Sequence, residues 1–254
     1  MYALQHITAV LVLLIILIAV ATPYAILVGI INYNNLYPYV YSRKERVSDA
    51  YDTLKTGDII MFISSTHLPA SSGIAQVYYS HTSIVVKDGD LVYLSETQPG
   101  VALMPSDVDG VRYMMRPGAT IMPLLTRLKY YAGQCFLMRL NRNLDTIREE
   151  ALKVEAEYLC RNSYPYPNGN QALTSMMTCM QTGTRQCFQH VAHILDTVNL
   201  TPTELSNPLS HQGFLGTCRM MCGINTKTLP DGYKYLPPVE LIYDIGTYNY
   251  TSDE

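Results

Sequence analysis

An α+β domain behind one N-terminal transmembrane helix is the architecture this sequence predicts. Three observations predict it. A charge-free apolar stretch opens the chain, short β-rich runs follow, and two helical patterns come after them. Strands that precede helices in this way, without regular alternation, favour α+β. Apolar residues make up 48% of the 254 and charged residues only 15%, a low charge fraction for a soluble protein.

No Lys, Arg, Asp or Glu precedes Arg43, and Ile7 to Ile31 is nearly all apolar. About 20 such residues span a bilayer core. Ala19-Val20-Ala21 has the small-residue pattern of a cleavage site. However, no basic segment precedes it and apolar residues continue past it, so residues 1–32 read as a retained anchor. Tyr33, Tyr37, Tyr39 and Tyr41 suit the headgroup zone, and Arg43, Lys44 and Arg46 follow. Positive charge on that flank places the C-terminal domain in the cytosol, on a cellular or virion membrane. Residues 33–50 then read as a juxtamembrane linker, 51–245 as the globular domain and 246–254 as a tail. The net charge of −3, with no long basic run, argues against a nucleic-acid partner.

Within the domain, Asp58 to Ile63 is a short apolar run after Gly57, the signature of a buried strand. Thr82–Val86 and Leu91–Leu94 are β-rich runs joined by Asp88-Gly89, a strong hairpin signal. Residues 99–120 look irregular, and Cys135–Leu140 reads as another strand. Asp145–Cys160 reads as a helix with Ile147, Ala151, Val154 and Tyr158 on one face and a Thr146/Glu149 capping box. Gln186–Asn199 reads as a second helix, striped by Phe188, Val191, Leu195 and Val198. Residues 201–235 read as loop-rich.

With Asp88 and Gly89 as the turn, Lys87 pairs with Asp90, Val85 with Val92, Ser83 with Leu94 and His81 with Glu96. Opposed residues share a face. A carboxylate beside His81 would fix its tautomer and stabilise its protonated form. The bland alternative is a surface His–Glu pair of little energetic weight. A one-residue slip would separate the two.

Cys187 falls at the start of the second helix, with Thr184 as candidate N-cap. The partial positive charge there favours thiolate over thiol, and backbone N–H groups there can hold an oxyanion. The alternative for Cys187 is a small buried hydrophobe in phase with Val191 and Leu195. His190 and His193 share the helix; their spacing from Cys187 matches no common zinc pattern, and they read as partly exposed polar residues. Cys218 and Cys222 form a C-x3-C pair, too few ligands alone for zinc.

Four segments then follow one another along the chain. They are Leu54-Lys55-Thr56-Gly57-Asp58-Ile59-Ile60, Ser80-His81-Thr82-Ser83-Ile84-Val85-Val86, Glu96-Thr97-Gln98-Pro99-Gly100-Val101 and Arg185-Gln186-Cys187-Phe188-Gln189-His190-Val191. Together they resemble the circularly permuted NlpC-type papain-like cysteine hydrolases, relatives of lecithin:retinol acyltransferase with members in bacteria and large DNA viruses. The resemblance covers residues 52–243. It implies a permuted papain-like domain, an antiparallel sheet packed on helices, with His81 as base, Glu96 as orienting residue and Cys187 as nucleophile. Two departures stand out: Tyr93 lies where the acyltransferase relatives place a second His, and Gln186-Cys187-Phe188-Gln189 differs from their Asn-Cys-Glu-His motif. Both lean toward the hydrolase branch.

The implied activity is acyl transfer from an amide, ester or thioester through a thiol ester, to water or another acceptor, with no metal or organic cofactor. The partners expected with it are the lipid bilayer and an acylated lipid, a lipidated protein or a peptide as substrate. The rival reading is a non-catalytic anchored protein that keeps the fold for binding.

Overall fold

A computed structural model describes residues 43–64, 81–98, 102–105, 112–131, 133–162, 165, 187–201, 224 and 227–245. The chain forms β1 (Lys44–Arg46) and a one-turn helix α1 (Val47–Ala50). Next come β2 (Ile59–Ser64), β3 (His81–Asp88), β4 (Leu91–Gln98), β5 (Ala102–Pro105), β6 (Arg112–Met115) and β7 (Gly118–Pro123). Then follow α2 (Leu124–Lys129), β8 (Gly133–Met138), α3 (Thr146–Arg161), α4 (Cys187–Thr197) and β9 (Val239–Ile242). Seven strands form one sheet in the order β1-β9-β8-β2-β3-β4-β7, while β5 and β6 pair separately.

The expected all-antiparallel sheet is corrected: β1 runs parallel to β9, so the sheet is mixed. These two strands are remote in sequence and need no hairpin, so no local turn dictates their direction. The expected linker also changes, because Lys44–Ala50 belongs to the fold and buries Val47 and Ala50.

The anchored, single-pass placement is corrected as well. Among the described residues no helix is long and apolar enough to cross a membrane. Residues 1–32, on which the expected span rests, lie outside the described residues, as do the tail at 246–254, Thr184, Cys179, Cys218 and Cys222. The cytosolic assignment that depended on that span goes with it.

The sheet carries a core on each face, which explains why β2 reads as a continuous apolar run. Its alternate residues feed two clusters. Ile59, Met61 and Ile63 join Ile84, Val86, Phe136 and Met138 beneath α3 and α4. Ile60 and Phe62 join Val85, Leu94 and Leu137 beneath α1 and α2.

Asp58 sets the start of β2. Its buried carboxylate accepts the backbone N–H of Lys55 at 3.0 Å and of Leu140 at 2.8 Å. Burial pushes this carboxyl up to about 6, against the pull of those two donors. Gly57, before it, has φ +95°, and a Cβ there would come within 2.8 Å of the Leu140 side chain. Asp58→Ala strands both N–H donors, at about 1–3 kcal/mol each when buried. A loss of roughly 2–4 kcal/mol is expected in urea unfolding, read as a lower midpoint at unchanged slope.

The β3–β4 turn differs from expectation by a defined amount. Asp88 pairs with Leu91, Lys87 with Val92 and Val85 with Leu94, so the loop is Gly89-Asp90. Gly89 takes φ +58° and Asp90 stays outside the positive-φ region, the arrangement of a loop with glycine in its first position. Sequence pattern alone centred the turn one residue early, and every pairing moves by two.

Three more expectations change. The stretch expected to be irregular contains β5, β6 and the first half of β7, and β7 pairs along the whole of Tyr93–Gln98. Helix α3 is capped by Asp145, whose side chain accepts the Arg148 N–H at 3.0 Å. That helix buries Leu152, Ala156 and Leu159, while Ile147 is 83% exposed and Val154 and Tyr158 lie outward too. Both stripes have helical spacing, and the sheet selects the one with Leu152 and Leu159.

Candidate active site

Strand β3 begins with His81 and β4 ends near Glu96, so both stand at the end of the hairpin away from its turn. The observed pairing, continued outward from Ile84↔Ser95, sets Ser83 opposite Glu96 and His81 opposite Gln98. His81 and Glu96 are therefore diagonal neighbours on one face instead of directly opposed. A shift of two preserves the face because side chains alternate with period two, and long side chains bridge the diagonal. His81 Nε2 lies 2.6 Å from Glu96 Oε2.

Glu96 is fully buried, and its second oxygen is not free. Arg127, on α2, donates from Nε to Glu96 Oε1 at 2.8 Å. The Arg127 guanidinium also lies over the rings of Phe62 (4.9 Å) and Tyr131 (5.1 Å), and Phe62 packs against the His81 ring at 5.4 Å. One carboxylate thus sits between two cationic groups inside an aromatic wall. Burial works against its charge, but His81 and Arg127 prevail and hold it down at about 2.

Cys187 opens α4, which packs on β3 and β4 from the opposite layer. His81 begins its strand, near enough to Cys187 for the thiol to help raise the imidazole. Burial alone would lower His81. Glu96 first, then Cys187, overcome it and push the imidazole up to about 9. Nε2 is engaged by Glu96, which leaves Nδ1 as the ring nitrogen for the sulfur. The structure thus brings together the three side chains that the sequence singled out.

The remaining candidates separate from this cluster. His190 is fully buried instead of partly exposed, and its Nε2 lies 2.8 Å from Ser95 Oγ on β4. It ties the first turn of α4 to the strand that carries Glu96. His193 pairs with Glu155 of α3 at 2.8 Å. Among the described residues, no group of three or more His, Cys, Asp or Glu side chains is placed to hold a metal. Cys135, Cys160 and Cys187 are free thiols. Cys135 lies on β8, and burial pushes its thiol up to about 12.

Sequence reasoning missed Arg127 and the Ser95–His190 contact. Arg127 belongs to a six-residue helix with no periodic signal of its own. The only hint was an Arg among Leu residues after Pro123. For Ser95 the hint was its place beside Glu96, just after the run Leu91–Leu94.

No family model matches the chain, and no curated protein matches it. A solved structure similar in part is the metalloprotein yiiX from Escherichia coli O157:H7, of the group DUF1105. It is 16% identical, covering 76% of this chain and 98% of that one at a TM-score of 0.36, a likeness too low to carry an argument.

Proposed function

We propose that this chain is a cysteine hydrolase or acyltransferase that acts on amide, ester or thioester bonds through an acyl-enzyme. One observation carries the reading: an imidazole held by a buried, ionised carboxylate and close to a thiol at the start of a helix. The motif resemblance to permuted NlpC-type hydrolases supports it independently.

His81 takes the Cys187 proton through Nδ1, the ring nitrogen that Glu96 leaves open. The sulfur then forms a bond to the carbonyl carbon as the π pair moves to oxygen. Collapse of that oxyanion breaks the bond to the leaving group, which receives the proton from His81. Water or another acceptor, activated by the now neutral His81, releases the acyl group. Glu96 fixes the ring and stabilises its cationic form; Arg127 keeps Glu96 ionised while His81 loses and regains its proton. Acylated lipids, lipidated proteins and peptides all present the carbonyl this chemistry needs.

The test is covalent labelling of the purified chain with activated fatty-acyl and peptidyl thioesters, mapped by mass spectrometry. Wild type is expected to carry the acyl group on Cys187 and none on Cys135, whose thiol stays protonated. Cys187→Ser should lose the adduct. Equal acylation of wild type and Cys187→Ser would discard the nucleophile assignment.

A further inference from the structure

Helix α4 sits on the sheet mainly through apolar side chains. Phe188, Val191, Ile194 and Leu195 are buried in the core they share with Ile59 and Ile84. Burial of this kind is strong but non-directional, and cores of the right size and pattern lose uniqueness before they lose stability. An apolar stripe alone therefore leaves the depth and rotation of a helix loosely set. Where a thiol and an imidazole must come within hydrogen-bond reach, that looseness matters.

His190 is the exception in the stripe. It is fully buried, and its Nε2 lies 2.8 Å from Oγ of Ser95, which is buried as well. A hydrogen bond restricts both distance and angle. The two ends of this one stand next to the reacting groups. His190 follows Cys187 by three residues, so the two are neighbours on one face of α4, one turn apart. Ser95 immediately precedes Glu96 on β4. Successive side chains of a strand point to opposite faces, so Ser95 turns toward α4 while Glu96 turns toward Arg127 of α2. Two consecutive residues of β4 thus grip the two halves of the site. Ser95 holds the helix of the thiol, and Glu96 holds the ring of His81.

We propose that Ser95 and His190 are positioning residues for acyl transfer, their hydrogen bond fixing α4 at the depth and rotation that bring the Cys187 sulfur to His81. The proposal rests on Cys187 being the nucleophile. Both side chains are closed off from solvent, so they act through Cys187 and not on the substrate. Folding does not depend on the pair being polar, because apolar groups of similar shape in place of both partners of a buried hydrogen bond are close to neutral. Geometry and stability can therefore be separated.

The experiment follows acylation of Cys187 in the full chain by an activated peptidyl thioester, read by mass spectrometry at rising thioester concentration, alongside urea unfolding. Ser95→Ala/His190→Leu is expected to keep the unfolding midpoint and the half-saturating thioester concentration of wild type. Its acylation rate at saturation should fall about 10²-fold, the scale of a displacement of about 1 Å between reacting groups. His190→Gln offers both a donor and an acceptor to Ser95 and should recover most of that rate. Ser95→Ala alone changes volume least and covers the case in which the double variant does not fold; its rate should fall on the order of tenfold or more. Acylation at the wild-type rate in either Ser95→Ala variant would overturn the proposal, as would a loss in His190→Gln as deep as in the double variant. A rate that falls only in proportion to the folded fraction would make the pair structural and overturn it as well. Wild type that never acylates at Cys187 would overturn the nucleophile reading beneath it.

Discussion

Glu96→Gln should lower acyl transfer by about 10³–10⁴-fold, the scale of losing the correct imidazole tautomer. The argument follows from what holds each oxygen. Arg127 donates to Oε1, so a glutamine must turn its carbonyl oxygen to Arg127 and its NH₂ to His81. His81 Nε2 then has to accept, and the ring proton moves to Nδ1, facing the sulfur. A nitrogen that already carries a proton cannot take the one on Cys187. The same change removes the leading cause that raises His81, so the imidazole falls from about 9 toward its ordinary 6.5. In the wild type, activity is expected to decline on the alkaline side near pH 9, where His81 loses the proton the leaving group needs. In the variant, the residual activity should decline at a distinctly lower pH. Steady-state kcat/KM from pH 5 to 10 measures both effects. An alkaline limb that stays in place would show that Glu96 does not set the proton affinity of His81.

The same pair shapes stability. His81 is raised in the fold, so its contribution is complete below about 6.5 and is lost as pH rises through 9. Glu96 is lowered, so its contribution is complete above about 4.5 and is lost as pH falls toward 2. The two overlap most fully between those values, so the pair itself adds no pH dependence to wild-type unfolding there, and the slope that remains includes that of buried Asp58, raised to about 6. Glu96→Gln removes both dependences.

What could be read from the sequence depended on how local the determinant was. The meeting of His81 and Glu96 survived a misplaced turn because a shift of two keeps every side chain on its face; a shift of one would have lost it. The start of α4 at Cys187 was legible from the polar stretch before it and the Phe188–Val191–Leu195 stripe after it. Arg127 was not legible. Its helix is too short to show a period, and its role comes from β4, 31 residues away in sequence. Nor was the buried face of α3. Ile147–Ala151–Val154–Tyr158 and Leu152–Ala156–Leu159 are both regular, and only the sheet beneath decides between them. His190 was misjudged for a related reason. On a helix that buries nearly three sides, a polar residue is assigned to the exposed side by default, and its partner Ser95 lies on a distant strand.

Arg127→Met is the stability counterpart of the Glu96 variant. The side chain is 8% exposed and its partner is fully buried, so the pair has little help from solvent. Methionine is close in length and keeps much of the contact with Phe62 and Tyr131, which limits the cavity term. What is lost is the counter-charge at Glu96 Oε1. Removing one member of a buried pair costs about 3–5 kcal/mol, because the remaining charge is left without compensation. Glu96 has one way to relieve this, which is to bind a proton. Its carboxyl should rise from the low value that His81 and Arg127 now maintain together. Proton binding then relieves the variant, so its deficit against wild type shrinks as pH falls. Urea unfolding at pH 7 and at pH 5 measures both parts: a lower midpoint at pH 7, and a smaller difference from wild type at pH 5 than at pH 7. Arg127→Lys keeps the charge but not the planar group lying between Glu96 and the two rings, and should recover only part of the difference. Wild-type midpoints for Arg127→Met at both pH values would mean that His81 alone suffices to hold Glu96 ionised, and the three-part charge cluster would reduce to a pair.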